Sequence, residues 1–600
     1  MSQANRIRYR IVPIDLAAHL FEIGLEIDDP DPSGQRVSLP AWIPGSYMIR
    51  EFARHVVAID ARLGSRRIAL EKIDKHTWQA GPGSGSGTLR LTYRVYAWDL
   101  SVRAAHLDST HAFFNATSVF LRVAGREREP CAVTLSPPRS GGDGWRVATT
   151  LPRAGARAWG FGSYQARDYD ELADHPVEMG TFSQARFEAA GITHDIVISG
   201  RHDTDLERLK KDLAAICEAQ IRLFEPRTAQ APFERFLFMT MAVGDGYGGL
   251  EHRSSTALIC ARNDLPHAGM AGVSEGYRTF LGLASHEYFH SWHVKRIKPA
   301  AFARYDLDRE NYTRLLWVFE GFTSYYDDLM LVRSGVIGVA DYLKALSATV
   351  SNVMRGPGRL SQSVAESSFD AWIKYYRQDE NSPNAVVSYY AKGALVALCL
   401  DLEIRTRSAG RRSLDDVLRL MWRRYGRQFD QQGCGLPEDG FAPLALEATG
   451  VAVDDALARW VHGTDELPLA DQLRTVGVDL SLKSADDEAP SLGVRLATRQ
   501  GDLTITTALA GRAAMRAGLS SGDVIVAVDG LRVDERSLKA LLARRKVGDR
   551  VTVHAFRRDE LLQVDVRLAA GDATECTLSL DEHAADAIRR QRNHWLGQHA

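Results

Sequence analysis

The sequence predicts a multidomain α+β protein with a β-rich first part, a helical middle and a smaller β-rich module near its carboxyl end. Residues 88–96 alternate apolar and polar side chains, as a half-buried strand does. Residues 394–400 and 414–421 carry apolar side chains at helical spacing. Residues 517–530 surround an alternating valine strand with glycines at turn positions. Six hundred residues are enough for several domains, each with its own core.

Composition shifts along the chain predict four segments. A β-rich domain is expected over 1–185, a second domain over 186–470, a third over 475–570 and a helical tail over 571–600. In the tail, Trp595 is a candidate anchor for docking on the rest of the chain.

The run His286-Glu287-Tyr288-Phe289-His290 is the most informative stretch of the sequence. Phe280, Leu283 and Ala284 precede it with helical spacing, and a helix advances about 100° per residue, so the two histidines face one side. This spacing is typical of zinc hydrolases, in which both histidines bind the metal and the glutamate acts as a base. We therefore expect one zinc ion per chain, held in part by His286 and His290.

A catalytic zinc usually has three protein ligands, and three downstream residues are candidates for the third. His293 is on the same segment, but three ligands from one straight helix converge poorly. Glu310 lies in a polar stretch that suggests a helix start. Glu320 is favoured, because it lies within an apolar helical run over 316–326, where a carboxylate is costly unless it meets a cation.

These segments resemble the glycyl aminopeptidases, metallopeptidase family 61, which belong to the gluzincins. The resemblance is carried by residues 286–292, 295–299 and 316–326, and it extends over the whole chain. It implies a β-sandwich-like amino-terminal domain, a thermolysin-like gluzincin catalytic domain with a helical half, and Glu320 as the third metal ligand. Residues 491–494 and 517–530 are similar to the carboxylate-binding loop and core of a bacterial PDZ domain, which implies a peptide ligand for that module or a structural role.

Two further segments resemble those of zinc aminopeptidases. Gly248-Gly249-Leu250-Glu251-His252 follows a buried strand over 236–243, and the resemblance implies that Glu251 binds the substrate α-amine beside Gly248 and Gly249. Tyr389-Tyr390-Ala391-Lys392-Gly393 implies Tyr390 as the donor to the oxyanion, with its neighbour Tyr389 as the rival. The segment 42–47 is also similar to the family; packing inside the β-rich domain is favoured over lining the cleft.

The sequence as a whole thus predicts a zinc aminopeptidase acting on peptides with a free amino terminus. A preference for small amino-terminal residues such as glycine and alanine is implied by the family alone. The alternatives are a zinc endopeptidase with a PDZ domain and a non-catalytic peptide-binding scaffold, although a purely structural zinc site has no need of Glu287.

The composition gives no reason to expect certain classes of partner. The formal net charge of −2 gives no reason to expect nucleic acid or an anionic membrane as a partner. The six cysteines are scattered without disulfide or metal-site spacing. Residues 1–9 contain no apolar core of signal-peptide length, and no stretch elsewhere approaches a transmembrane span. A cytoplasmic enzyme is expected; the oligomeric state does not follow from the sequence.

Overall fold

A computed structural model of the chain describes residues 5–83, 87–429, 433–484 and 490–598. The chain forms two compact units. The first contains Met1–Asn311, Arg333–Ile337 and Met421–Leu436, and the second contains Tyr312–Val332, Gly338–Leu420 and Pro437–Ala600.

The first unit begins with three sheets. Its strands are β1 Ile7–Asp15, β2 Leu20–Asp28, β3 Arg36–Ser38, β4 Val56–Leu63, β5 Arg66–Ile68, β6 Leu70–Lys72, β7 Thr77–Ala80, β8 Thr88–Tyr96, β9 Ala105–Leu107, β10 His111–Phe114, β11 Arg122–Val123, β12 Cys131–Leu135, β13 Arg146–Ala148, β14 Gly162–Ala166 and β15 Val177–Gly180. A seven-stranded sheet has the order β14-β12-β1-β2-β8-β4-β5, and two four-stranded sheets have the orders β13-β15-β10-β9 and β11-β3-β7-β6. The predicted strand over 88–96 is confirmed as β8, which buries Leu89, Leu91, Tyr93 and Val95 on one face.

A five-stranded sheet and two long helices follow in the same unit. The elements are β16 Ser183–Ala189, β17 Ile192–Ser199, β18 Arg235–Val243, β19 Tyr247–Glu251 and β20 Ser255–Ala261, with helices α1 Ala116–Val119, α2 Tyr169–Ala173, α3 Leu206–Phe224 and α4 Glu275–Phe289. The sheet order is β16-β17-β18-β20-β19, with β19 antiparallel to β20 at the edge. Short 3₁₀ turns lie at Phe52–His55, Arg262–Asp264 and Ala300–Phe302, and a π-helical turn at Trp422–Gly426.

Helix α4 begins where the sequence supplies a cap. The Ser274 side chain accepts a hydrogen bond from the backbone N–H of Tyr277, which satisfies one of the free donors of the first turn. The helix buries Phe280, Leu283 and Ala284, the apolar stripe that the sequence indicated. Gln220 of α3 donates to the carbonyl of Ser285 at 2.9 Å and so ties the two helices together just before the first histidine.

The second unit is helical in its first part. Its helices are α5 Phe322–Arg333, α6 Val339–Met354, α7 Val364–Phe369, α8 Ser382–Ala385, α9 Ala391–Arg407, α10 Leu414–Met421, α11 Phe441–Thr449, α12 Asp454–Trp460 and α13 Leu469–Arg474, with π-helical turns at Trp317–Gly321 and Ala371–Tyr375 and a 3₁₀ turn at Pro357–Leu360. The predicted helical segments over 394–400 and 414–421 are confirmed in α9 and α10. No helix of the described residues is long and apolar enough to span a membrane.

The last part of the second unit is a small β-domain. Its elements are β21 Val478–Ser484, β22 Pro490–Ser491, β23 Val494–Arg499, β24 Asp502–Ala508, α14 Ala513–Ala517, β25 Val524–Val528, β26 Leu531–Arg532, α15 Glu535–Leu542, β27 Arg550–Arg557, β28 Glu560–Arg567, β29 Ala569–Ala570, β30 Ala573–Leu580 and α16 Asp586–Trp595. The main sheet has the order β23-β24-β25-β27-β28, with β23 at an edge, and closes over its own apolar core. The multidomain α+β architecture with this carboxy-terminal domain is as the sequence predicted.

The chain end is tied to the helical part of the same unit. The fully buried Trp595 donates its indole N–H to the hydroxyl of Tyr325 at 2.8 Å, and that hydroxyl donates to Asp401 at 2.7 Å. Strand β30 pairs with β21, and its backbone donates to Ser351 on α6. The tail thus acts as an anchor within the second unit, as expected for Trp595.

Candidate active site

Helix α4 presents both histidines of the sequence motif. Their ring centroids are 4.7 Å apart and nearly perpendicular, at 85°. His290 is buried, and its Nδ1 lies 2.8 Å from the carbonyl oxygen of His293. Since that carbonyl can only accept, Nδ1 carries the proton and the Nε2 lone pair is left for a metal. The backbone of His293 therefore orients a candidate ligand, which is a different role from the one weighed for its side chain.

Two carboxylates lie beside His290 in the first unit. Donor atoms of Glu251, Glu287 and His290 are all within 4.8 Å of one another, and the two glutamates are only 4% and 6% exposed. Glu251 ends the edge strand β19, whereas Glu287 follows His286 on α4. The fold thus brings together a strand end and a helix that are more than thirty residues apart in sequence. Such a concentration of buried negative charge is stable only with a cation nearby.

Glycines make this close approach possible. A Cβ atom built on Gly249 would lie 2.5 Å from Cγ of Glu287 and would overlap its carboxylate. A Cβ on Gly248 would meet nothing closer than 3.5 Å. The two glycines of the motif are therefore not equivalent: Gly249 leaves room for Glu287, and Gly248 faces a less crowded space.

The segment 42–47 is packed inside the first unit and also contacts Glu251. Trp42 and Tyr47 are buried, so the segment is packed inside the unit. Gly45, with φ at +98°, lies directly against Glu251, because a Cβ there would be 2.6 Å from one carboxylate oxygen. This conformation and this contact both require glycine.

Arg103 is a residue of this region that the sequence analysis did not identify. Its Nη2 donates to the carbonyl of Gly249 at 3.1 Å, from the loop before β9. Among the described residues, Arg103 has no carboxylate within ion-pair distance. A local sequence motif cannot predict a contact between two residues that are 146 positions apart in the chain.

A network of buried charges that sequence reasoning also missed lies next to His252. Lys295 forms a 2.6 Å ion pair with Asp174, and His252 approaches the same carboxylate at 3.8 Å. Burial acts to raise the pKa of the Asp174 carboxyl, but Lys295, His252 and Arg253 together outweigh it and hold that pKa well below its usual range.

Lys298 belongs to this network, and no carboxylate of the described residues lies within ion-pair distance of it. Its Nζ lies 4.2 Å and 4.7 Å from the ring centroids of Tyr305 and Phe429. Burial, reinforced by the charge of Arg253, lowers the pKa of the Lys298 ammonium to about 7.

The second unit contains the other residues predicted for the site. Glu320 is 2% exposed in the π-helical turn Trp317–Gly321, which leads into α5. The helical run predicted over 316–326 is therefore a π-helical turn followed by a regular helix. Gly321 packs on Gly393 at the start of α9, where an added Cβ would lie 2.7 Å from Gly393 Cα. The two motifs that carry Glu320 and Tyr390 are therefore in contact within this unit. Glu310, in the first unit, lies in a non-helical stretch, so the expectation of a helix start there is wrong.

Tyr389 and Tyr390 differ in exposure although they are neighbours. Tyr389 is fully buried, and this burial, followed by the charges of Tyr376 and Glu320, raises the pKa of its hydroxyl well above its ordinary value. Tyr390 is partly exposed, and its hydroxyl is 3.1 Å from that of Tyr376. Tyr376 was also not identified from the sequence, in which it stands only as part of the adjacent pair Tyr375-Tyr376.

Comparison with known proteins identifies the class. A profile described as the Peptidase M61 N-terminal domain matches residues 8–181, one described as M61 glycyl aminopeptidase matches 279–396, and a PDZ-domain profile matches 490–568. The crystal structure of an aminopeptidase N family protein from Idiomarina loihiensis is 40% identical, with a TM-score of 0.92, over 98% of this chain and 100% of that chain. The chain is thus a peptidase with a PDZ domain. It belongs to the M61 glycyl aminopeptidase family.

More distant structures are also similar. The M1 zinc metallopeptidase from Deinococcus radiodurans is 13% identical, with a TM-score of 0.47, over 78% of this chain and 96% of that chain. This similarity is too low to assign any residue of the site. No curated protein has a significantly similar sequence.

We expect Gly249→Ala to reduce peptidase activity by about a hundredfold, because the new methyl group displaces Glu287 by a large fraction of an ångström or more. Gly248→Ala is the matched control, since its methyl group makes only ordinary contacts and should cost much less. Steady-state kinetics on one peptide substrate, with circular dichroism to show intact folding, decides between them. Equal activity of the two variants would contradict the packing argument.

We expect Lys298→Met to change how stability depends on pH. In the unfolded chain a lysine has a pKa near 10.5, so between about pH 7 and 10.5 the unfolded state binds the proton that folded Lys298 has lost. The wild type therefore gains stability as pH rises through this range, and the variant lacks that gain. The difference in unfolding free energy between variant and wild type should shift by about 2 kcal/mol between pH 7 and 9, measured by urea denaturation. Lys211→Met, at an exposed position on α3, is the control and should show no such shift.

Proposed function

We propose that this peptidase is a zinc-dependent aminopeptidase, which removes amino-terminal residues from peptides. The observation that carries the proposal is the cluster of Glu251, Glu287 and His290. In this cluster two buried carboxylates, one from strand β19 and one from helix α4, lie beside one imidazole. A base and an anchor for an ammonium group are the two acidic functions that an aminopeptidase needs, and the cluster offers one carboxylate for each.

The residues fit a zinc ion, which we propose is bound once per chain by His286, His290 and Glu320. Two imidazoles and a carboxylate are a common donor set for catalytic zinc, and the protonated Nδ1 of His290 leaves the other ring nitrogen for the metal. The burial of Glu320 in apolar surroundings is consistent with a carboxylate that binds a cation. Zinc bound there would polarise the scissile carbonyl and lower the pKa of a water molecule to near 7.

Glu287 is the proposed proton carrier. Held against Gly249, its carboxylate takes a proton from the attacking water and delivers it to the leaving amine. Tyr390 is the proposed donor to the oxyanion of the tetrahedral intermediate. Its partial exposure, against the complete burial of Tyr389, supports Tyr390 as the member of the pair that can reach a substrate.

Glu251 is proposed to select the first peptide bond. Its carboxylate would bind the substrate ammonium, and the backbone of Gly45 lies against it on one side. A residue upstream of the cleaved bond would have to occupy the space of these groups, which favours an exopeptidase over the zinc endopeptidase considered from the sequence. Gly248 and Gly249 belong to the edge strand β19, along which we propose that an extended peptide lies.

Family membership supports two finer proposals. We propose a preference for small amino-terminal residues, glycine and alanine, among peptide substrates. We also propose a peptide ligand for the PDZ domain, supported by the position of β23 at a sheet edge directly after Gly493, whose φ is +71°.

Metal analysis tests the third ligand. We expect Glu320→Ala to lose bound zinc at the α4 histidines, because two imidazoles alone hold zinc much more weakly than a three-ligand set. Glu310→Ala, which changes the rival glutamate in its non-helical stretch, is the control and should keep the metal. Retention of zinc by Glu320→Ala together with its loss from Glu310→Ala would show that Glu310 is the ligand.

Glu251→Ala tests the aminopeptidase proposal itself. An ammonium–carboxylate pair in a water-poor site contributes about 2 to 4 kcal/mol, so kcat/KM on peptides with a free amino terminus should fall about thirty- to a thousandfold. On acetyl-blocked peptides the wild type should be poor and the substitution should cost far less. Efficient cleavage of blocked peptides by the wild type would replace this proposal with the endopeptidase.

A further inference from the structure

Three potential metal ligands lie on one hairpin of the first unit, away from the motifs used above. His106 is in β9, Asp108 is in the turn, and His111 begins β10; we call these three residues the hairpin triad. A donor atom from each lies within 4.8 Å of the other two, and both histidines are 4% exposed. The sequence analysis did not identify this group, since the pattern His-x-Asp-x-x-His is common by chance.

The turn holds Asp108 in place for metal binding. Its Oδ1 accepts hydrogen bonds from the backbone N–H groups of Thr110, at 2.6 Å, and His111, at 3.1 Å, and from the Thr110 hydroxyl. Its Oδ2 lies 3.2 Å from Nε2 of His106. Two ligands bound to one tetrahedral zinc at ~2.0–2.1 Å are about 3.3 Å apart, so this pair already has the spacing of two ligands.

His111 is oriented by a second carboxylate. Its Nδ1 lies 3.1 Å from Glu178, and Glu178 accepts from the Ser199 hydroxyl at 2.5 Å. With the Nδ1 proton directed at Glu178, the lone pair is on Nε2, and Nε2 is buried with no hydrogen-bond partner among the described residues. A carboxylate behind one ring nitrogen and a vacant lone pair on the other is the usual setting of a metal-binding histidine.

The rings of His106 and His111 are stacked, with their centroids 4.9 Å apart and their planes 27° apart. A purely structural role explains the hydrogen bonds to Asp108 and Glu178. It does not explain why the buried acceptor nitrogen of His111 has no donor in the part of the chain that the structure describes.

We propose that the hairpin triad binds one divalent transition-metal ion of the zinc type, with water completing the coordination. The ion would join the two strands of the hairpin at its turn. It would thereby stiffen the chain that follows Arg103, whose guanidinium donates to Gly249. The proposed site is a structural one and is independent of the zinc at α4.

Zinc content of the full-length protein tests the proposal. After saturation with zinc and removal of loosely bound ion by gel filtration, the wild type should retain two ions per chain and Asp108→Asn one. Asparagine can accept the same turn hydrogen bonds through Oδ1, so this variant removes a ligand while keeping the hairpin. Asp74→Asn is the matched control: Asp74 accepts from the backbone N–H groups of His76 and Thr77 in the same kind of turn, outside the triad, and its variant should retain two ions.

Two further variants separate this site from the one at α4. Glu178→Gln should lower zinc affinity at the triad by about 10–100-fold in a competition titration with a chromophoric chelator. The double variant His286→Gln, His290→Gln should keep one ion, at the triad. A wild type with a single ion that Asp108→Asn retains, or a double variant that binds none, would overturn the proposal without affecting the proposed function.

Discussion

The burial of Glu251 and Glu287 next to His290 is the constraint on which the rest of the site depends. Carboxylates at this depth are unfavourable unless cations and hydrogen-bond donors are close. Each is also packed against a glycine, Glu251 against Gly45 and Glu287 against Gly249, so neither can move far from its place. Two buried carboxylates placed in this way support the proposed roles of a base and an anchor for an ammonium group.

The surrounding elements can be understood as supports for that cluster. The edge strand β19 supplies Glu251, and the capped helix α4 supplies Glu287 and both histidines. On the side of His252, the buried pair of Asp174 and Lys295 adds a further charged layer. Replacing such a pair by apolar residues is often neutral or stabilising, so we attribute its presence to positioning the strand end and not to stability.

Local patterns in the sequence predicted much of the fold. Strand β8 and helices α9 and α10 were predictable because alternation and helical spacing depend only on neighbouring residues. The His-Glu-x-x-His spacing likewise predicts the common face of His286 and His290. Arg103 was not predicted, because its contact with Gly249 joins segments that are 146 positions apart. Tyr376 and the hairpin triad were not predicted either, because a tyrosine pair and the pattern His-x-Asp-x-x-His are both common by chance. The π-helical turn at Glu320 was missed for a different reason: an apolar helical pattern does not distinguish a π turn from a regular one.

Glu287 is the residue proposed to move the proton in a zinc-dependent hydrolysis. The most direct measurement is the turnover of Glu287→Gln on a peptide with a free amino terminus, together with its zinc content at the α4 histidines. Glutamine has nearly the same shape as glutamate but cannot act as a base, so we predict that this zinc remains stoichiometric while kcat falls by at least about 10²–10⁴-fold. Substantial turnover by the zinc-loaded variant would contradict the account.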